Sequence, residues 1–229
     1  MPAGIQILNT TGSVQVDETY SNFYLTAKGS VTIADITIAS GASTRGAMVT
    51  VNGSSPLLAW RGAPATVQYV SRIGNSWTYT LLSSAANGTA VHWYAFDSCE
   101  NYAPSVGHGL QVFRADGKLA FDSTALFLRP KQLITRSVLG GSYGGMPGAA
   151  QTYSFPAGRT MSAVNLQPGA SASGTYEITH ATAFANPQSN QITMTDGFYA
   201  GPVIAEGPQP WANAYLQPGR FLAVDVTGY

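Results

Sequence analysis

Gly109-Leu110-Gln111-Val112-Phe113-Arg114-Ala115-Asp116-Gly117-Lys118-Leu119-Ala120-Phe121-Asp122-Ser123 reads as strand, tight turn, strand. Val112 and Phe113 close the first arm, Asp116-Gly117 is a two-residue turn signal, and Leu119 and Phe121 alternate along the second. The stretch occurs twice. Residues 4–17 have the same layout, 105 positions earlier. Gly4/Gly109, Gln6/Gln111, Gly12/Gly117, Asp17/Asp122 and Thr19/Thr124 are identical, and Ile5/Leu110, Ile7/Val112, Leu8/Phe113, Val14/Leu119 and Val16/Phe121 are apolar in both. Matching turn glycines with matching apolar alternation point to two tandem copies of one domain type, each opened by this hairpin.

The 229 residues accommodate two such domains, a β domain over 1–106 and a second over 107–229. Only 10% of residues are Asp, Glu, Lys or Arg, against about 25% in a typical globular chain. With 45% hydrophobic residues and aromatics spread throughout, this is a folding composition, and its low-charge surface suits packing against other proteins. Net charge is zero and no basic run exists, so nucleic-acid binding has no electrostatic footprint. No apolar run approaches the roughly 20 residues of a membrane-spanning helix, so no membrane insertion is expected. Met1-Pro2-Ala3-Gly4 leads straight into the first strand, and no signal peptide is expected. The lone Cys99 excludes an internal disulfide and fits assembly in a reducing cytosol.

Along the chain, short β-branched and aromatic runs are separated by Gly, Pro, Asn or Asp. Residues 20–26, 30–33 and 36–38 read as strands. Residues 47–51 and 56–60 flank Asn52-Gly53 as a hairpin-like pair, and 67–73 and 77–82 flank Gly74-Asn75-Ser76 as another. Residues 91–97 close the first copy, and 98–108 form a linker. In the second copy, 125–129, 132–139, 153–155, 161–166, 175–180 and 191–195 read as strands. The segment 215–226 corresponds to the closing strand, and Pro202-Val203-Ile204-Ala205 echoes Pro56-Leu57-Leu58-Ala59. The second copy then carries an insertion holding the Gly140–Gly148 loop, with five glycines in nine residues, and the turns around 186–190. No sustained helical periodicity is present. The expected fold is all-β, two tandem β-sandwich-like domains.

No catalytic constellation is legible, and no enzyme activity is expected. His92, His108 and His180 lack ligand spacing, so neither a metal nor a cofactor is expected. The glycine loop lacks the Gly-Lys-Ser/Thr and the strand-loop-helix frame of a phosphate cradle. Asp17 and Asp122 read as carboxylates capping backbone N–H groups where the strand turns away. Trp60, Trp77 and Trp93 alternate within strands and read as core. Tyr143, Met146, Tyr199, Trp211 and Tyr215 lie in or beside Gly/Pro-rich segments, which makes them the candidate contacts for a partner or receptor.

The doubled motif, Gly-Ile/Leu-Gln-Ile/Val-apolar, a turn with Gly, then apolar-x-apolar-Asp, resembles the opening of small tail proteins of tailed bacteriophages. Gly4 to Asp17 carries the likeness once and Gly109 to Ser123 carries it more closely; two copies in one chain depart from the commoner single-copy pattern. The resemblance implies a virion protein of the tail tip, baseplate or fibre apparatus of long-tailed phages, assembled in the host cytoplasm. Its implied partners are other tail proteins and further copies of itself, threefold symmetry being usual for a fibre component. It transfers no catalytic residue. The expected function is assembly, with the first copy docking onto the tail and host attachment as an added role. The alternatives are a carbohydrate- or receptor-binding module and, third, an enzyme acting on surface polysaccharide.

Overall fold

The computed structural model describes residues 7–8, 14–16, 22–37, 43–98, 109–136, 149–167, 170–173, 177–204 and 215–229, with side chains described for 22–37, 43–98, 109–136, 149–167, 184–196 and 218–229. Among the described residues the fold is all-β, without helix. The first hairpin is β1 (Ile7–Leu8) and β2 (Val14–Val16), and its second copy is β10 (Gln111–Phe113) and β11 (Leu119–Asp122). Ile7 pairs with Val16 and Leu8 with Val14; Val112 pairs with Phe121 and Phe113 with Leu119. Adding 105 to either first-hairpin pair gives the second, and the register slips at the same step in both. The sequence repeat is therefore a repeat of backbone pairing. The turn is wider than two residues: Gly117 N–H donates to Arg114 O, Arg114 N–H to Lys118 O, and Gly117 takes φ +79°, where a side chain would be strained.

Two larger antiparallel sheets hold the rest. The six-stranded sheet runs β12 (Pro130–Arg136), β19 (Gly219–Asp225), β14 (Met161–Gln167), β6 (Leu57–Arg61), β9 (Ala90–Ser98), β3 (Phe23–Thr32). The nine-stranded sheet runs β13 (Gln151–Ser154), β17 (Gln191–Ile204), β16 (Glu177–Pro187), β7 (Ala65–Ile73), β8 (Ser76–Ser83), β5 (Ser43–Asn52), β4 (Ala34–Thr37). Its two remaining strands, β15 (Ala170–Ser173) and β18 (Tyr215–Gln217), extend from β16. Alternating residues of both sheets bury one shared core. Leu58, Trp60, Ala95, Ala163 and Phe221 from the first meet Val49, Leu81, Ala185, Ile192 and Met194 from the second, as in a sandwich.

The opposite alternation of the six-stranded sheet is apolar too: Ala59, Tyr94, Phe96, Val164 and Val224 form a second cluster with Leu25, Leu57, Leu128 and Tyr229 around it. A strand buried on both faces reads as a continuous apolar run, which is what Leu57-Leu58-Ala59-Trp60 is. Backbone closure explains the burial. Just upstream of β12, Phe127 bridges to Tyr24, with Leu25 N–H donating to Leu126 O and Leu128 N–H to Phe23 O at 2.8 Å each. The two edge strands of the sheet thus meet at one end, and the sheet curls around its inner cluster.

Neither large sheet divides at residue 106. β6 meets β14 at Trp60–Ala163 and Ala59–Val164, and β7 meets β16 at Ala65–Ala185. The order is nonetheless symmetric about these seams: β3-β9-β6 faces β14-β19-β12, and β5-β8-β7 faces β16-β17-β13, while β4, β15 and β18 stand outside the match. Antiparallel seams with a palindromic strand order describe an internal approximate two-fold.

Several local expectations are corrected. Residues 47–51 and 56–60 do not form a hairpin, because β5 and β6 belong to different sheets. The break expected near Gly29 is absent. β3 runs through it as a ten-residue strand, and a Cβ on Gly29 would lie 2.6 Å from the Trp93 ring, so glycine there makes room for the indole. β6 corresponds to β14 rather than to Pro202–Ala205; Val203 and Ile204 end β17. The turn near 186–190 joins β16 to β17, as Gly74-Asn75 joins β7 to β8, so it is not inserted material. The glycine loop lies outside the described residues.

Candidate functional site

The second hairpin is the best-defined candidate, and its repeated residues explain its shape. The Asp122 carboxylate, fully buried, accepts from Thr124 N–H at 2.8 Å, Thr124 Oγ1 at 2.5 Å and Gln111 Nε2 at 2.9 Å. A Cβ on Gly109 would lie 2.7 Å from Ser123 Oγ, which accepts from Leu110 N–H. Gly109, Gln111, Gly117, Asp122 and Thr124 are the five identities shared with the first copy, and each has a place in this lock. The capping role expected of Asp122 is what the structure shows; Asp17 lies outside the described residues. Burial opposes ionisation of Asp122, but the hydrogen bonds from Thr124 and Gln111 outweigh it and hold the carboxyl below the usual carboxylate range.

The hairpin is fastened to β3 of the other half. Tyr24 Oη and Asn22 Nδ2 donate to Ala120 O at 3.1 and 3.2 Å, and Phe121 stacks on Phe127 at 4.9 Å, which in turn meets Tyr24 at 4.9 Å. Its own apolar pair, Val112 and Ala120, is buried, while Leu110, Phe113 and the adjacent Leu126 are exposed.

Asp97, Asp225 and the Arg136–Asp196 pair read as structural joints. Asp97, at the end of β9, accepts from Ser54, Ser55 and Ser98 N–H at 2.7, 3.1 and 2.8 Å, and so shapes the loop from β5 to β6. Asp225, at the end of β19, accepts from Thr227 N–H at 2.9 Å and pairs with Arg159 at 2.9 Å, with Arg129 and Lys131 at 3.9 Å. Arg129 lies over the Tyr229 ring, and Tyr229 Oη donates to Phe127 O, which fixes the final residues on the inner cluster. Arg136 and Asp196 form a two-bonded pair at 3.0 Å between the two sheets, both largely buried.

Of the expected contact residues, Tyr143, Met146 and Trp211 lie outside the described residues. Tyr199 falls on β17 and Tyr215 on β18, with side chains outside the described set. Trp60 is fully buried, and Trp77 and Trp93 pack against the same core, as expected of them. A surface that the sequence reading missed lies on the outer face of the nine-stranded sheet, where Met48 and Tyr69 both pair with Thr80 and Ile73 follows along β7. The signal was the set Val67, Tyr69, Val70 and Ile73 on β7, whose register shifts between Val67 and Tyr69 and turns Tyr69 outward. Among the described residues, no group of three or more His, Cys, Asp or Glu could hold a metal ion. Comparison with protein-family models, curated proteins and solved structures returned no match.

Proposed function

We propose that the protein is a structural component of a bacteriophage tail tip or baseplate, acting by assembly with other tail proteins. The observation that supports this reading is the doubled hairpin. The residues that resemble the tail-protein opening are those that build the Asp122 lock, and the locked hairpin leaves Leu110, Phe113 and Leu126 exposed for a neighbour to cover. A low-charge surface and buried carboxylates engaged in holding loops fit a joint better than a reaction centre.

The test is immunogold labelling and mass spectrometry of purified virions that encode the chain. Label at the distal tail, at a few copies per particle, is the expected result. Absence of the protein from intact particles would sink the proposal. Phe113→Ser lies on the exposed side of the hairpin, so it should lower incorporation while leaving the melting temperature of the isolated protein unchanged.

A further inference from the structure

We propose that the inner face of the six-stranded sheet carries a binding site for a small oxyanion, a carboxylate or phosphate group, held by Arg61 and Ser162. Lys28, Tyr94, Ala59, Val164, Leu222 and Leu133 form one row across the six strands through successive backbone pairs. Tyr94, Ala59 and Val164 belong to the inner cluster, so residues two positions along each strand, His92, Arg61 and Ser162, point to the same side. Arg61 pairs directly with His92, and His92 with Ser30. Ser162 follows opposite Arg61, one step beyond the Trp60–Ala163 pair.

Two buried polar atoms in this row have no hydrogen-bond partner: Arg61 Nε and Ser162 Oγ, the latter on a residue with no exposed surface. No carboxylate among the described residues pairs with Arg61. A buried, unpaired donor of a charged group is costly, and one beside a second orphan donor is better explained by a shared acceptor. A guanidinium offers Nε and a terminal nitrogen as a fork that fits two oxygens of a carboxylate or phosphate, and the serine hydroxyl supplies a further donor. The same face of β3 and β9 continues toward solvent. Lys28, Ser30 and His92 are exposed on it, and Lys28 adds a positive charge.

Inorganic phosphate and acetate, each against chloride at matched ionic strength, would be titrated into the full chain and followed by the Arg61 Nε–Hε resonance and by melting temperature. Saturable shifts are expected with one or both anions, and the preferred anion identifies the ligand as a phosphate or a carboxylate. Arg61→Gln should weaken binding by about tenfold or more. Ser162→Ala should weaken it several-fold while leaving the anion-free protein as stable or more stable, since an unsatisfied hydroxyl is removed. No response to either anion, or a response unchanged in Ser162→Ala, would mean that ordered water alone satisfies these atoms, and the proposal fails.

Discussion

Without the Asp122 carboxylate, the Thr124 N–H and hydroxyl and the Gln111 amide lose their acceptor inside the hairpin. Asp122→Ala should cost about 1–3 kcal/mol in chemical denaturation, from the loss of hydrogen bonds made to a charged acceptor. Acid acts on the same group. In Asp122, and in Asp225, burial opposes ionisation but is outweighed, in Asp225 by Thr227 together with Arg129 and Arg159, so both carboxyls lie below their usual range. Their folded values sit below the unfolded value of about 3.9, so the stability they contribute is whole above that pH and is lost as pH falls through the folded values. Denaturation midpoints measured from pH 7 to 2 should fall only in the acid part, and less steeply in Asp225→Asn. Tyr79 has the opposite sign. Burial, with Asp97 adding to it, pushes its hydroxyl up to about 12, so its contribution is full below about pH 10 and fades as pH rises toward the folded value. Burial raises Tyr229 as well, so phenolate absorbance should show late ionisation from both tyrosines, and Tyr79→Phe should remove only the Tyr79 share. Arg136 and Asp196 make a harsher case. Arg136→Met should cost about 3–5 kcal/mol by leaving a buried carboxylate unpaired, and the double replacement by apolar residues should recover much of it. At this scale the sequence was informative where a residue acts on near neighbours, as Asp122 does. It was silent on Arg136 with Asp196, whose 60-residue separation no local pattern records.

The hairpin is held at two levels, by its own polar lock and by the Phe121–Phe127–Tyr24 stack. Phe127→Ala should open the second level alone. Amide exchange at Val112, Phe113 and Leu119 should quicken, while Leu81 and Ala223 in the shared core stay protected. Uniform quickening across the chain would show instead that the hairpin and the sheets unfold together. Strand existence was legible nearly throughout, because β-branched and aromatic runs bounded by Gly, Pro and Asn carry the period of two. Two boundaries misled for physical reasons. Gly29 looks like a break but accommodates the Trp93 ring inside a strand, and Asn52-Gly53 looks like a hairpin turn but carries the chain from one sheet to the other. The contact candidates were chosen for their Gly/Pro-rich surroundings, and their side chains lie outside the described set.

At the scale of the whole molecule, the all-β architecture and the doubled hairpin were legible, and the pairing of strands across residue 106 was not. Edge-to-edge pairing of β6 with β14 and β7 with β16 depends on which strand reaches the edge, and topology alone decides that. Because Trp60 and Phe221, from opposite halves, meet edge-on at 6.3 Å in one core, calorimetry should show a single transition with equal calorimetric and van't Hoff enthalpies. Two resolved transitions would mean that the halves are independent after all. Residues 1–106 made alone would expose the apolar face of β6 and should aggregate, and co-expression with 107–229 should restore solubility. The seams have one more consequence. Among the described residues they contain three backbone residue pairs, two in one sheet and one in the other, and the Tyr24–Phe127 bridge adds one more short backbone contact between the halves, so side-chain packing rather than a long hydrogen-bond ladder holds the halves together. Under mechanical load across the strands, such a joint parts by peeling at low force, whereas the long β3–β9 and β16–β17 ladders pulled lengthwise resist in shear. A protein built this way would have a preferred line of rupture through its middle, set by the direction of pull.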